Sequence, residues 1–292
     1  MKIIRNPRLK FIFTIVICFI IATNSLTVKN TASAGLNSNS KNYLTIQKAL
    51  LSSTEVKVLN IIKKSPRMST EGLFYENGKI YESGFYRNKS FLLKKDYKTN
   101  KMIKTVPLLS LSGKGIAKCG DNFFQLTDKE KKVMKYNYPN LDLISTYPLD
   151  SDMIRGAGLS TLTKTTLVAT DGSNKIYILS CQFDLNVINS IPIVDSNKEP
   201  MDGLQDITVV GDFLYANRDN DNRILKIDPR NGKVVKTFDL MNLINYEMKM
   251  KSLSRNDIAT GSVLNGITYD ASRGVFILTG RNWAYYYEVQ LE

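Results

Sequence analysis

The sequence predicts an all-β fold, a five-bladed β-propeller, and three observations carry that prediction. A short turn recurs five times, as Glu71-Gly72-Leu73, Lys114-Gly115-Ile116, Ala157-Gly158-Leu159, Asp202-Gly203-Leu204 and Asn265-Gly266-Ile267. Its glycines are spaced by 43, 43, 45 and 63 residues. A period of roughly forty to fifty residues built from short strands is the signature of propeller blades. The last repeat is one strand short, and a strand-like segment without a partner precedes the first repeat.

In chain order, the first 34 residues read as a secretory signal. Lys2, Arg5, Arg8 and Lys10 precede an uncharged apolar run at 11–22, and Ala32-Ser33-Ala34 is a small-residue cleavage site. That run is too short to span a bilayer comfortably. The expected product starts at Gly35, has no stable membrane span and is secreted or extracytoplasmic. Removing the leader takes five basic residues from a net charge of +13, leaving +8. The remaining Lys and Arg are spread along the chain, and no nucleic-acid module is recognisable.

The chain has no histidine. That excludes Ser-His-Asp and Cys-His catalysis and any His-ligated zinc; no metal or cofactor is expected. Cys18 leaves with the signal, so Cys119 and Cys181 remain. An exported protein can pair two such cysteines. They lie in different repeats, and both a disulfide and two buried thiols fit the sequence.

Residues 35–53 are polar and read as a linker, with a short helix at 46–51. The propeller domain is expected over 54–292. Its first strand is the alternating segment Glu55-Val56-Lys57-Val58-Leu59-Asn60-Ile61-Ile62. It is expected to join the three-stranded last repeat, closing the ring and covering an edge that would otherwise invite aggregation. In the first repeat, Asn77-Gly78 between Leu73-Phe74-Tyr75 and Ile80-Tyr81 is a strong hairpin signal, because both residues tolerate positive φ. The fourth repeat shows all four strands: 205–210, 213–217, 223–228 and 233–238, with turns at Gly211-Asp212 and Asn231-Gly232. The long last interval holds an insertion. Residues 239–251 have helical spacing without Gly or Pro and predict a short helix between blades four and five, then a loop to Ser262.

Several motifs together resemble the plant-type glutaminyl cyclases, or glutamine cyclotransferases. They are Thr70-Glu71-Gly72-Leu73 with Asn77-Gly78-Lys79-Ile80-Tyr81-Glu82-Ser83, Phe124-Gln125-Leu126-Thr127, Thr170-Asp171-Gly172-Ser173, Ala216-Asn217, Arg223-Ile224-Leu225-Lys226-Ile227-Asp228-Pro229, and Val263-Leu264-Asn265-Gly266-Ile267. The resemblance covers the chain from Glu55 onward. It implies a five-bladed propeller that cyclises an N-terminal glutaminyl residue to pyroglutamate and releases ammonia, without a metal. The implied partner is a peptide with N-terminal glutamine, and a monomer is expected.

The chain departs from the family pattern at the site. The catalytic glutamate of a Gly-Glu-Gly motif is replaced in Gly113-Lys114-Gly115. Asp128, Ala157 and Asp219 stand where the family has tryptophans, Ser69 where it has phenylalanine, and Asp202 where it has asparagine. Arg281, in Gly280-Arg281-Asn282-Trp283, takes the place of a lysine. The expected site is therefore Glu71 and Lys114 in the catalytic positions, with Asp202, Asn217, Asn265, Arg281 and Trp283 around the substrate.

Three readings of that mouth are open. Glu71 could serve as general acid/base beside Lys114. The mouth could bind a small ligand or peptide without chemistry. Its charges could simply pair with one another, since propeller centres need hydrogen-bond partners in any case. Two charged runs read as turns. Asp219-Asn220-Asp221-Asn222 lacks the glycine and distal glutamate of a calcium loop, and Lys129-Glu130-Lys131-Lys132 reads as a solvated turn.

Overall fold

The computed structural model describes residues 51–182 and 184–292. The signal peptide expected at 1–34, the linker expected at 35–53 as far as residue 50, and all but the last residue of the helix expected at 46–51 lie outside these residues. The described chain forms five four-stranded antiparallel sheets. Blade one is β2 (Ser69–Glu76), β3 (Lys79–Tyr86), β4 (Lys89–Asp96) and β5 (Met102–Leu108). Blade two is β6 (Gly113–Cys119), β7 (Asn122–Thr127), β8 (Lys132–Asn137) and β9 (Leu143–Pro148). Blade three is β10 (Leu159–Thr161), β11 (Thr166–Thr170), β12 (Lys175–Ser180) and β13 (Asn186–Pro192). Blade four is β14 (Leu204–Val210), β15 (Phe213–Arg218), β16 (Arg223–Asp228) and β17 (Lys233–Asp239). Blade five is β18 (Leu264–Asp270), β19 (Val275–Gly280), β20 (Tyr285–Leu291) and β1 (Val56–Lys63).

The expected closure is present. β1 runs antiparallel to β20 from Val56 opposite Leu291 to Lys63 opposite Tyr285. The core is divided among five seams, each shared by two neighbouring blades. Tyr81 and Leu92 meet Phe123 and Tyr136 between blades one and two. Leu126 and Val133 meet Leu167 and Leu179 between two and three. Val168 meets Ile207 and Leu225 between three and four. Tyr215 and Phe238 meet Phe276 and Tyr287 between four and five. Leu73 and Ile80 meet Ile277 and Tyr286 where the ring closes. Each blade presents apolar residues on both faces, so no sheet is buried without its two neighbours.

The inner strands approach closely at the axis, and glycine permits it. A Cβ on Gly72 would lie 2.7 Å from the Lys114 carbonyl, and one on Gly115 would lie 2.4 Å from the Leu159 nitrogen. This is why a glycine follows Glu71 and Lys114 in the repeated turn.

A disulfide joins Cys119, the last residue of β6, to Cys181, just after β12, with Cα atoms 6.4 Å apart. It bridges blades two and three and closes a loop of 62 residues. Loop-closure entropy for that length gives about 4 kcal/mol. Replacing both cysteines by serine is expected to lower the unfolding free energy by about 2–5 kcal/mol in a denaturant titration.

The insertion between blades four and five holds two helices rather than a helix and a loop. α1 is Met241–Lys249 and α2 is the short Arg255–Ala259. The additional helix has a local cause. Ser254 and Asp257 form a reciprocal capping box, Ser254 accepting from the Asp257 N–H at 3.1 Å and Asp257 accepting from the Ser254 N–H at 2.7 Å. The buried Glu247 of α1 accepts the N–H groups of Ala284 and Tyr285 and the Tyr287 hydroxyl, which fastens the insertion to blade five. Among the described residues, no helix is long and apolar enough to cross a membrane.

Candidate functional site

The inner strands all start at one end of the axis, and in four of the five blades the variable residue of the repeated turn lies at that start. In β6, β14 and β18 the pairing slips between Gly113 and Ile116, Leu204 and Ile207, and Leu264 and Ile267. The bulged residues are therefore Lys114-Gly115, Gln205-Asp206 and Asn265-Gly266. β2 slips similarly between Thr70 and Gly72, around Glu71.

This register corrects the fourth repeat. Its turn at the axis is Gln205-Asp206, not Asp202-Gly203. Asp202 is exposed in the loop before β14, where its carbonyl accepts from Arg218 Nε at 2.8 Å. The shared Gly-Leu dipeptide had set the repeats three residues out of step. The bulge, a property of strand pairing, sets the true correspondence.

Glu71 is the hub of the mouth. It is buried, and its carboxylate accepts from Lys114 Nζ at 2.9 Å, Asn265 Nδ2 at 3.0 Å, and Arg281 Nε and Nη2 at 2.9 and 3.1 Å. The Arg281 contact is bidentate, the strong form of a charge-assisted pair. Asn217 reaches the same cluster from β15. Its Nδ2 donates to the Leu264 carbonyl at 2.9 Å and lies 3.5 Å from Asn265 Oδ1. The structure thus brings together five of the seven expected residues: Glu71, Lys114, Asn217, Asn265 and Arg281.

Trp283 is not among the residues lining the mouth. It is fully buried in the blade-five core, edge-on to Tyr287, with Nε1 3.4 Å from the Ser262 carbonyl. A Cβ on Gly280 would fall 2.4 Å from the indole. The indole therefore packs beneath the backbone that presents Arg281.

Two aspartates that the sequence marked only as departures carry the second layer. Asp128 sits 3.6 Å from Lys114 Nζ and 3.4 Å from Arg155 Nη1. Asp219 accepts from Arg281 Nη1 at 2.9 Å. Burial works against the Arg281 charge, but Glu71 and Asp219 together hold its guanidinium above the ordinary arginine value. The mouth is an alternating array of anions and cations, so the reading in which its charges pair with one another holds for the structure as it stands.

The cavity over this array is about 410 Å³. It is lined by Ser69, Glu71, Lys114, Arg155, Asp219 and Arg281 on the propeller side and by Asp257, Thr260, Gly261 and Ser262 from the insertion. No aromatic side chain lines it. A larger cavity of about 800 Å³ lies at the opposite ends of the inner strands, among Phe74, Tyr75, Lys118 and Tyr269. Size alone would favour that one. None of the expected site residues lines it, and we place the site at the smaller cavity, where the buried charges converge. Among the described residues, no group of three or more Cys, Asp or Glu is arranged to hold a metal ion. The Asp219–Asn222 run is a turn between β15 and β16, its Asp221 carboxylate taken by Arg223 at 2.7 and 2.8 Å.

Comparison with known proteins places this geometry in context. A family model described as glutamine cyclotransferase matches residues 27–291. A glutaminyl-peptide cyclotransferase of Arabidopsis thaliana is 26% identical over 244 residues, which is 82% of this chain and 72% of that protein. The crystal structure of a glutaminyl cyclase from Myxococcus xanthus matches with a TM-score of 0.71 and 20% identity, over 81% of this chain and 96% of its own. The WD40 repeats of RRP9 match with a TM-score of 0.51 at 8% identity, over 82% and 98%. At those identities the two structures speak for the fold alone.

Proposed function

The chain belongs to the glutamine cyclotransferase family, and from that premise we propose that it is an exported protein acting on the amino terminus of peptides at the Glu71 mouth. The reaction is conversion of an N-terminal glutaminyl residue to a pyroglutamyl residue. The α-amine nitrogen attacks the side-chain carbonyl carbon. A C–N bond forms there as the bond to the amide nitrogen breaks, and the proton lost by the α-amine departs with that nitrogen as ammonia. Glu71 is the carboxylate at the mouth floor that can accept from the α-amine. Lys114 and Arg281 supply donors for negative charge that develops on the carbonyl oxygen. The observation that carries this reading is the convergence of Glu71, Lys114, Asn265 and Arg281 on one buried point.

A second reading is peptide binding without turnover. It is favoured by the polar lining of the cavity and by the four hydrogen bonds that already engage Glu71. A substrate amine must share or displace those bonds, and no aromatic wall holds the glutaminyl group.

One assay separates the two. The purified exported chain is incubated with a Gln-initiated peptide and ammonia release is followed. Release above that of a Glu71→Gln control supports the cyclase. Saturable peptide binding with no release at high protein concentration supports the binding module.

A further inference from the structure

We propose that Asp206 is the positioning residue of the mouth: its side chain crosses the axis from β14 and holds β2 and β18 where Glu71, Asn265 and Arg281 can bond one another.

The other inner strands bring glycine to this level. A Cβ on Gly72 would lie 2.9 Å from the Gly115 Cα, one on Gly115 would lie 2.5 Å from the Gly158 carbonyl carbon, and one on Gly158 would lie 2.9 Å from the Asp206 Cα. Gly266 of β18 packs against Thr70 and Leu73 of β2. The ring at the axis is thus four glycines and one aspartate. The aspartate side chain is buried at this level, 1% exposed. Its Oδ2 accepts the Ile267 N–H at 2.9 Å, and the Ile207 and Leu73 backbone N–H groups also favour its charged form.

Two of those donors define the inference. Leu73 is two residues beyond Glu71 on β2, and Ile267 is two residues beyond Asn265 on β18. One carboxyl therefore ties together the two strands whose side chains meet as Asn265 Nδ2 to Glu71 at 3.0 Å. Arg281 follows β19, the hairpin partner of β18, and shares the same anchorage. Asp206 makes no bond to Glu71, Lys114 or Arg281, so it acts through the strands and not on a substrate.

The chemistry of the group supports this role. Burial pushes the Asp206 carboxyl up to about 8; the three backbone donors pull it down, and nearby Glu71 adds to the rise. Glu71 of β2 is the charged group facing it, and Gly115 of β6, Gly158 just before β10 and Gly266 of β18 lie at the same level. Among the described residues, Oδ1 has no hydrogen-bond partner. Because the folded-state value lies above the ordinary 3.8, this group's contribution to stability is full below about pH 4 and is lost as pH rises through about 8.

The test is by NMR on the folded chain and needs no turnover. In the wild type, the Leu73, Ile207 and Ile267 amide resonances are expected to titrate together with a midpoint near pH 8. Asp206→Asn should abolish that titration and leave the Arg281 Nε–H resonance at its hydrogen-bonded position. Asp206→Ala should move that resonance toward the free guanidinium value. If the alanine variant does not fold, Asp206→Glu is the second variant. Its extra methylene, at a position 1% exposed, should displace the same resonance. An Arg281 Nε–H signal unmoved in a folded alanine or glutamate variant overturns the proposal, as does the absence of a shared amide titration.

The role in catalysis rests on the cyclase reading. With a Gln-initiated peptide, Asp206→Ala is expected to lower kcat by about tenfold or more while KM stays within about twofold, the pattern of misplaced groups. No turnover in the wild type would count against the reaction and leave the resonance result standing.

Discussion

Glu82→Ala is expected to cost about 3–5 kcal/mol, because it strands two fully buried lysines. Lys64 and Lys95 donate to Glu82 at 3.1 and 2.8 Å, and all three side chains are wholly inaccessible to solvent. Thr70 and Tyr286 add hydroxyl donors to the carboxylate at 2.5 and 2.6 Å. Lys64 completes its shell with the Met68 and Gly280 carbonyls. The cluster joins β2, β3 and β4 of the first blade to the end of β1 and to β19 and β20 of the last. It therefore sits in the seam where the ring closes. Burial alone would raise the Glu82 carboxyl, but the two ammonium groups hold it well below the usual carboxylate range. Its contribution is thus complete above its ordinary value of 4.5 and is lost as pH falls below it. A loss of that size is comparable with the whole stability of many domains, about 5–15 kcal/mol. The expected observation is a collapse of the denaturation midpoint, or no folded protein at 37 °C. A midpoint within about 1 kcal/mol of wild type would show that the lysines find other partners or lose their protons at no great cost.

Glu71→Gln is expected to lower ammonia release by about 10²–10⁴-fold, the usual contribution of a positioned acid or base. The fold should survive this change. Glutamine keeps the shape, Lys114 retains Asp128 at 3.6 Å, and Arg281 retains Asp219 at 2.9 Å. The stability cost should be about 1.5–3 kcal/mol, the range for hydrogen bonds to charged groups. Lys114→Glu is the complementary change. It restores a carboxylate at the position where the family resemblance expects one, but sets it beside Glu71 and Asp128, where like charges force one carboxyl to keep its proton. No gain in turnover over wild type is expected, because the cavity lining still lacks an aromatic side chain. A gain of tenfold or more would show that the missing acid alone limits the reaction.

Much of the fold was legible in the sequence, because blade strands are local. Asn77-Gly78 places its hairpin through two positive φ values, 51° and 72°. The alternation at residues 55–62 and the three-stranded last repeat together indicated the closing strand, which pairs as expected. The second helix was missed even though its signal, Ser254-Arg255-Asn256-Asp257, is a readable capping box. Part of the site was legible as well. The residue before glycine faces the mouth in Glu71, Lys114 and Asn265, which was enough to place them together.

The sequence by itself determined the repeat, the turns and the strand alternation. Each of these depends on backbone preference within a few residues. Only the tertiary structure decided which charges are buried, which pair, and which repeat position faces the centre. Lys64 stands in an ordinary Lys63-Lys64 pair, and its burial depends on blades one and five meeting around it. Cys119 and Cys181 are paired because two blades bring them within bonding distance. In the fourth blade, strand pairing overrode the Gly-Leu likeness and put Gln205 and Asp206 at the axis in place of Asp202 and Gly203. A bulge is a relation between two strands, and neither strand records it alone.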